Sequence, residues 1–431
     1  MIITYLENKD FNFDIFDTDI QDAINLLHRA IKENGTEHSQ RIEVLDRAIF
    51  DAMFFAEPQN KMLKDVSNDI FLKESKINND GFNTVGVGDE VEVEVSKPKT
   101  KDIKNSLFSQ NEQKFVDKLI NDNYADVKYN KIKLEKLANE FGIKEQNLAK
   151  ELAELSISFV ARVYAHYYNL KGALTPKQRF EKIVKLYETQ VNLSHRTSES
   201  IMLQQYSTPA PIGYLAGLFC GFDKEGGNYF EPSAGNGLLT IAGNTEDFTV
   251  NEIDTVRNRN LSVLGFKKVL KQDASEPFKE FEHKFDAVIT NPPFGKTEVV
   301  TYGKSDIKSL EQVMSLRALD TMKDNGRCAI IIGGHTEYDK EGRIQSGKNR
   351  TYFVYLYKHY NVMDVINISG RHLYSRQGTA FNTRLILIDG RKETPSGFPP
   401  LIENPIPMNE INSPTPVNSF DVLWERINKS I

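Results

Sequence analysis

From about Gln204 to Arg391, short apolar runs alternate with helix-length segments, and this alternation limits the possible folds more than any other feature of the chain. The runs are NYF, FTVNEI, KKVLKQ, FDAVIT, RCAIIIG, DVINI and RLILID. A strand that feeds a helix returns most readily as a parallel neighbour, with helices covering both faces of the sheet. The expected class is therefore α/β, with a mostly parallel sheet of seven strands preceded by a helical N-terminal region.

What closes each of the first four strands is chemically distinctive. NYFEPSAGNGLLTIAG reads as a strand, a small-residue turn and a helix, in which Gly235 and Gly237 let the backbone approach a ligand and the helix offers its N-terminus. FTVNEID places Glu252 at the end of the second strand, where an acid about 20 residues past the glycines can accept ribose hydroxyls. Asp273, in LKQDASEPF, follows the third strand and is placed to meet an adenine amino group. DAVITNPPFGK then ends the fourth strand in Asn291, Pro292, Pro293 and Phe294. Taken singly, Glu252 or Asp273 reads as a loop or helix-capping acid. In series, all four lie at the carboxyl edge of the sheet, where open α/β folds bind ligands. An amide, a stiffened carbonyl and a flat ring together suit a planar group carrying an NH2.

In these motifs the chain resembles the S-adenosylmethionine-dependent amino-methyltransferases of DNA, in particular the adenine-N6 enzymes. Their fold is a Rossmann-like sheet of the kind expected here. EPSAGNG looks like their cofactor loop, which assigns Glu231, Pro232, Ser233, Ala234, Gly235 and Gly237 to the cofactor together with Glu252, Asp273 and Asn291. NPPF looks like their catalytic tetrapeptide. QQYSTPAPIGYLAG is similar to the segment that covers the methionine moiety, and brings in Tyr206, Ser207, Thr208 and Pro209. More narrowly, NLSHRTSESIMLQQYSTPAP is similar to the methylase modules of large phage and conjugative-element proteins. The resemblance spans about residues 200–390 and implies S-adenosylmethionine as cofactor, DNA as substrate and a setting in restriction-modification or anti-restriction. NPPF also occurs in enzymes acting on RNA guanine, cytosine N4 or a protein glutamine. Those enzymes, and a non-catalytic reader of DNA or its methylation, are the alternatives.

Substrate contacts are expected after the fifth strand, in GGHTEYDKEGRIQSGKNRTYFVYLYKHY. Lys340, Arg343, Lys348, Arg350 and Lys358 gather there with Tyr338, Tyr352 and Tyr355, a pattern suited to phosphate positioning and base stacking. Lys296, beside the tetrapeptide, and Arg376, in the late RHLYSRQGTAFNTRLILID region, join that set. Relatives with this motif order carry a sizeable recognition domain after the catalytic half, whereas a Pro-rich stretch and one helix follow Asp389 here. Site selection is then expected from the N-terminal helical region, the basic loop, or a separate specificity or restriction subunit.

The expected organisation is a helical region over 1–75, a linker over 76–106 holding the strand-like VEVEV, a helical domain over 107–199, the sheet domain over 200–392, and a Pro-rich tail with a short helix over 393–431. LEKLANEFGIKEQNLAKELAEL has helix-turn-helix spacing about Gly142. Its second helix offsets Lys144 and Lys150 with Glu145, Glu151 and Glu154, which favours two packed helices over a groove reader. A net charge of −6 disfavours indiscriminate coating of nucleic acid yet allows a local basic cleft. Cys220 and Cys328 are the two cysteines; both sit in apolar contexts and read as core, and no metal site is expected. With no basic n-region before an apolar block and no run near ~20 apolar residues, a cytoplasmic protein without membrane contact is expected.

Overall fold

The computed structural model describes residues 107–167, 174–191, 207–224, 226–334, 338–339, 341–344, 346–377, 380–401 and 416–431. The expected helices of 1–75 and the VEVEV strand lie outside the described residues, as do Tyr206, Lys340 and much of the Pro-rich stretch. The described residues fall within one compact unit, residues 100–431.

Among the described residues five α-helices precede the sheet, the first four being α1 (Gln110–Tyr124), α2 (Lys131–Glu140), α3 (Gln146–Arg162) and α4 (Pro176–Thr189). Their starts are written in the sequence. Ser109 and Glu112 form a capping box on α1, and Thr175 and Gln178 form another on α4, where Pro176 takes the first helical position. A fifth helix, α5 (Ala210–Phe219), is buried along its whole length.

The sheet contains β1 (Tyr229–Glu231), β2 (Phe248–Asn251), β3 (Lys268–Leu270), β4 (Phe285–Thr290), β7 (Met322–Gly333), β8 (Tyr360–Ile368) and β9 (Thr383–Arg391). Its order is β3-β2-β1-β4-β7-β9-β8. All pairings are parallel except those of β9, which runs antiparallel between β7 and β8. Each expected run became one strand. A separate antiparallel hairpin, β5 (Lys296–Tyr302) with β6 (Ser305–Ser309), leaves directly from NPPF. Helices α6 (Thr255–Val263), α7 (Leu310–Thr321), α8 (Lys348–His359) and α9 (Phe420–Ile427) complete the layers.

Strand periodicity divides the core in two. Ala287, Ile289, Ala329, Ile331, Leu385 and Leu387 face a cluster shared with α1, α3, α4, α5 and α9. Val288, Cys328, Ile330, Ile332, Ile386 and Ile388 face the other, built with α7 and α8. Residues 107–191 therefore share one core with the sheet and do not stand apart as the domain expected over 107–199. Within the helix-turn-helix-like segment, α3 is a packing helix: Glu151, Leu152, Glu154 and Leu155 are all buried. Cys220 and Cys328 are buried free thiols, as expected. Among the described residues, no helix is long and apolar enough to cross a membrane, and no cluster of ligating side chains could hold a metal.

Candidate active site

The carboxyl ends of β1, β2, β3 and β4 open into one cavity of about 240 Å³. Of the residues singled out in the sequence, Ser207, Thr208, Glu231, Pro232, Ser233, Ala234, Gly235, Glu252, Asp273, Asn291, Pro292, Pro293 and Phe294 line it. Parallel pairing of β1 with β2 and β4 brings these motifs, distant in the chain, to one edge. The walls add Leu310 and Met314 from α7 and Gln272 after β3.

The glycine turn is fixed by side chains on its neighbours. Gly235 and Gly237 have φ of +56° and +79°, the left-handed region that favours glycine. Glu252 accepts the amide of Gly235 at 2.8 Å through Oε2 and that of Asp254 at 2.8 Å through Oε1. Asn251 ties the turn to the β3 loop: its Nδ2 donates to the carbonyls of Pro232 and Gln272, at 2.8 and 3.0 Å, and its Oδ1 accepts from the Gln272 amide. The Asp273 carboxylate caps its own loop by accepting from the amide and hydroxyl of Ser275.

The expected helix after the glycines does not form. Leu238–Thr240 makes one 3-10 turn, and the next α-helix is α6, beyond β2. The carbonyls of Gly237 and Thr240 take the tighter i→i+3 bonds, from the amides of Thr240 and Gly243, and together with that of Gly243 they also accept from Arg162 at the end of α3. The turn is also pressed against α5, where a Cβ on Gly213 would stand 2.2 Å from the Leu238 carbonyl oxygen.

At the tetrapeptide, Asn291 donates through Nδ2 to the Thr208 hydroxyl at 2.9 Å, which turns the Oδ1 end of the amide away from that contact. Gly295 anchors the exit: its amide donates to Glu311 at 3.1 Å and its carbonyl accepts from Leu310 at 3.0 Å. Glu231 is 1% exposed and its Oε2 has no hydrogen-bond partner among the described residues. Burial pushes its carboxyl well above the usual range; nearby Glu252 adds to this and Arg162 opposes it. Burial also raises Glu252, against the pull of Arg257 and of the Asp254 and Gly235 amides.

Other expected residues lie elsewhere. Pro209 caps the start of α5, and Gly237 shapes its turn; neither lines the cavity. Lys296 opens β5, and Lys348 and Arg350 open α8, all outside the cavity wall. Arg376 sits in a 3-10 turn, its amide donating to the Tyr187 hydroxyl at 3.1 Å. Arg343 is answered by Asp339 and Glu341, at 2.9 and 2.8 Å, so it is not an unopposed phosphate contact. Tyr352 is wholly buried with its hydroxyl against Ser315, and Tyr355 packs on Tyr302 and His359; both rings serve the core rather than base stacking. Sequence reasoning missed Asn251, Arg257 and Arg162. Asn251 alone had a legible signal, as a polar residue one position before Glu252 at a strand end.

No protein-family model matches the chain, and no curated protein matches it. Several solved structures are similar to it. A modification subunit of a putative type I restriction enzyme from Vibrio vulnificus YJ016 is 14% identical, with 58% of this chain and 59% of that one covered and a TM-score of 0.38. A chain from a type I R-M system is 17% identical, with 51% and 47% covered and a TM-score of 0.36. A putative class I S-adenosylmethionine-dependent methyltransferase from Listeria monocytogenes is 14% identical, with 74% and 98% covered and a TM-score of 0.41. The matches thus span 59% and 47% of the lengths of the first two. Likeness at this level concerns architecture, and what the cavity does chemically has to come from its own residues.

Proposed function

We propose that the chain is an S-adenosylmethionine-dependent methyltransferase that modifies the N6 amino group of adenine in DNA. The observation that carries this reading is the convergence of NPPF, the glycine turn, Glu252 and Asp273 on one cavity. The cavity suits a cationic nucleoside cofactor: Glu231 and Glu252 supply carboxyls at its wall, and the Oε2 of Glu231 is a buried acceptor with no partner among the described residues. Ser207, Thr208 and the turn Pro232–Gly235 would hold the amino-acid end, Glu252 the ribose and Asp273 the adenine amino group. When bound, S-adenosylmethionine supplies an electrophilic methyl on a sulfonium that departs as a neutral thioether.

Asn291 and Pro292 act on the nucleophile. The lone pair of an adenine amino group is delocalised into its ring, and two acceptors for its N–H bonds help to localise that pair and aim it. The Asn291 Oδ1 and the Pro292 carbonyl are such acceptors, with Thr208 holding the amide in register. Phe294 offers a face for a base that has left the duplex. The proton lost from nitrogen on methylation passes to solvent, since neither acceptor is a base at neutral pH. Together with a DNA substrate, the reading includes a role in restriction-modification or anti-restriction and site selection by a partner subunit.

The test is transfer of labelled methyl from S-adenosylmethionine to duplex DNA, single-stranded DNA, RNA and a glutamine peptide, with products identified by mass. N6-methyladenine from DNA is expected, reduced about 10²–10³-fold by Asn291→Ala. Label in RNA or peptide alone would replace the substrate and keep the chemistry. Cofactor binding without transfer to any of them would mean either a missing partner subunit or a reader, and a search for the partner would follow.

A further inference from the structure

Arg162 lies 69 positions before Glu231 in the chain, at the end of a helix the sequence reading kept apart from the cofactor motifs. Its Nη1 donates to the carbonyls of Thr240 and Gly243, each at 2.9 Å. Its Nη2 donates to the Thr240 hydroxyl at 2.6 Å and the Gly237 carbonyl at 3.3 Å. The guanidinium also lies over the Phe266 ring, 5.0 Å from its centroid. These contacts carry no carboxylate, although a charge removed from water is costly unless it is paired or richly hydrogen-bonded. Glu231, in the cavity wall, is the opposite charge it feels: each residue opposes the effect of burial on the other, and burial pulls Arg162 down to about 9.

A second tie runs from the same helix. Asn236, between the two glycines, is 2% exposed, and its Nδ2 donates to Glu151 at 2.7 Å and to Glu154 at 2.6 Å. Its Oδ1 accepts from Asn260 at 2.8 Å. Arg257, a cavity residue, grips Glu151 with Nε at 2.8 Å and Nη2 at 3.2 Å. Burial alone would raise the Glu151 carboxyl, but Arg257 and Lys150 hold it below the usual carboxylate range. The turn is thus held at two places by α3, through its backbone by Arg162 and through the Asn236 side chain by Glu151 and Glu154.

We propose that α3 is the positioning element of the cofactor site, with Arg162 and the Glu151–Asn236 contact holding the glycine turn in its ligand-receiving shape. Arg162 additionally sets a fixed positive charge behind Glu231, which favours the anionic form of that wall. This inference rests on the cofactor reading above. A turn held only for stability would lower the melting temperature of its variants and leave the affinity of the folded molecules unchanged. A turn held for binding changes the affinity of the folded protein.

The experiment uses the full chain and isothermal titration with S-adenosylhomocysteine, beside melting curves and initial rates. Asn236→Ala, Arg162→Gln and Arg162→Lys are compared. For Asn236→Ala we expect about 10-fold weaker binding by the folded protein and a cofactor KM raised to match. Turnover at saturating cofactor should stay within about 3-fold of the parent, since the amino-group acceptors are untouched. Arg162→Lys should recover part of the affinity lost in Arg162→Gln, because the charge behind Glu231 is restored while most of the carbonyl contacts are not. Should Arg162→Gln fail to fold, Asn236→Ala decides. Parent-like affinity in folded Asn236→Ala overturns the inference and leaves the cofactor reading standing. Failure of the parent chain to bind overturns both.

Discussion

The amide of Asn291 is oriented by Thr208, 83 positions earlier in the chain, through one hydrogen bond of 2.9 Å from Nδ2 to Oγ1. The segment before the glycine turn thus lines the cavity and, on the proposed reading, sets which end of the tetrapeptide amide faces a target. Thr208→Val keeps the shape and removes the acceptor. It should cut turnover about 10–100-fold with cofactor affinity changed less than 3-fold, and Thr208→Ser should restore most of the loss. Steady-state rates at saturating cofactor check this; an unchanged turnover would remove Thr208 from the mechanism.

The pH response of Glu231 has a definite sign. Its carboxyl titrates above the ordinary value in the fold, so the folded chain holds a proton that the unfolded chain has released. That contribution to stability is whole below the unfolded value and drains away as pH rises toward the folded one. Glu231→Gln should then raise the melting temperature by about 2–4 °C at pH 8, with little gain at pH 4.5. The same variant should bind S-adenosylmethionine more weakly. Melting curves at the two pH values and a titration at the higher one test both halves.

Removing Arg257 takes the bidentate partner from Glu151, which is 2% exposed and keeps Asn236 and Lys150. Arg257→Met should cost about 3–5 kcal/mol, the usual penalty for breaking one side of a buried ion pair. Pairing it with Glu151→Met should recover part of that cost. Urea denaturation of the two variants is the measurement, and a double variant no better than the single would place the loss in packing.

Trp424 is the sole tryptophan and docks α9 onto α4, with its ring centroid 5.2 Å from that of Phe180. Trp424→Ala should cost about 3–5 kcal/mol through the lost packing. In the parent chain, tryptophan emission should shift to the red in the same denaturant range as the loss of helical circular dichroism. An earlier shift would mean that α9 undocks before the sheet unfolds.

Much of the sheet was legible because each strand is an apolar run whose alternate residues reach different cores, as Val288 and Ile289 do. The motifs at the strand ends could be joined because parallel pairing sends all of them to one edge. What could not be read has a common origin in long-range polar contacts. Glu151 and Glu154 look like solvated charges on a helix face, and only Asn236 and Arg257, far along the chain, show why they are inside. The helix expected after Gly237 gives way to a 3-10 turn whose carbonyls also meet Arg162, again a partner far away in the chain. The hairpin β5–β6 went unread because KTEVVTY and SDIKS mix charge with β-branched residues and do not alternate cleanly.

At the outer edge of the sheet, β8 is met by Val417, whose amide donates to Asn367 and whose carbonyl accepts from Ser369. During synthesis, β8 leaves the ribosome roughly 50 residues ahead of that partner, an interval of about 2.5–10 s at ~5–20 residues per second. For that time the Asn367 carbonyl and the Ser369 amide at this edge lack the partner that later covers them. Yield on overexpression should accordingly depend on translation speed and on chaperone supply more than the equilibrium stability of the finished protein would suggest.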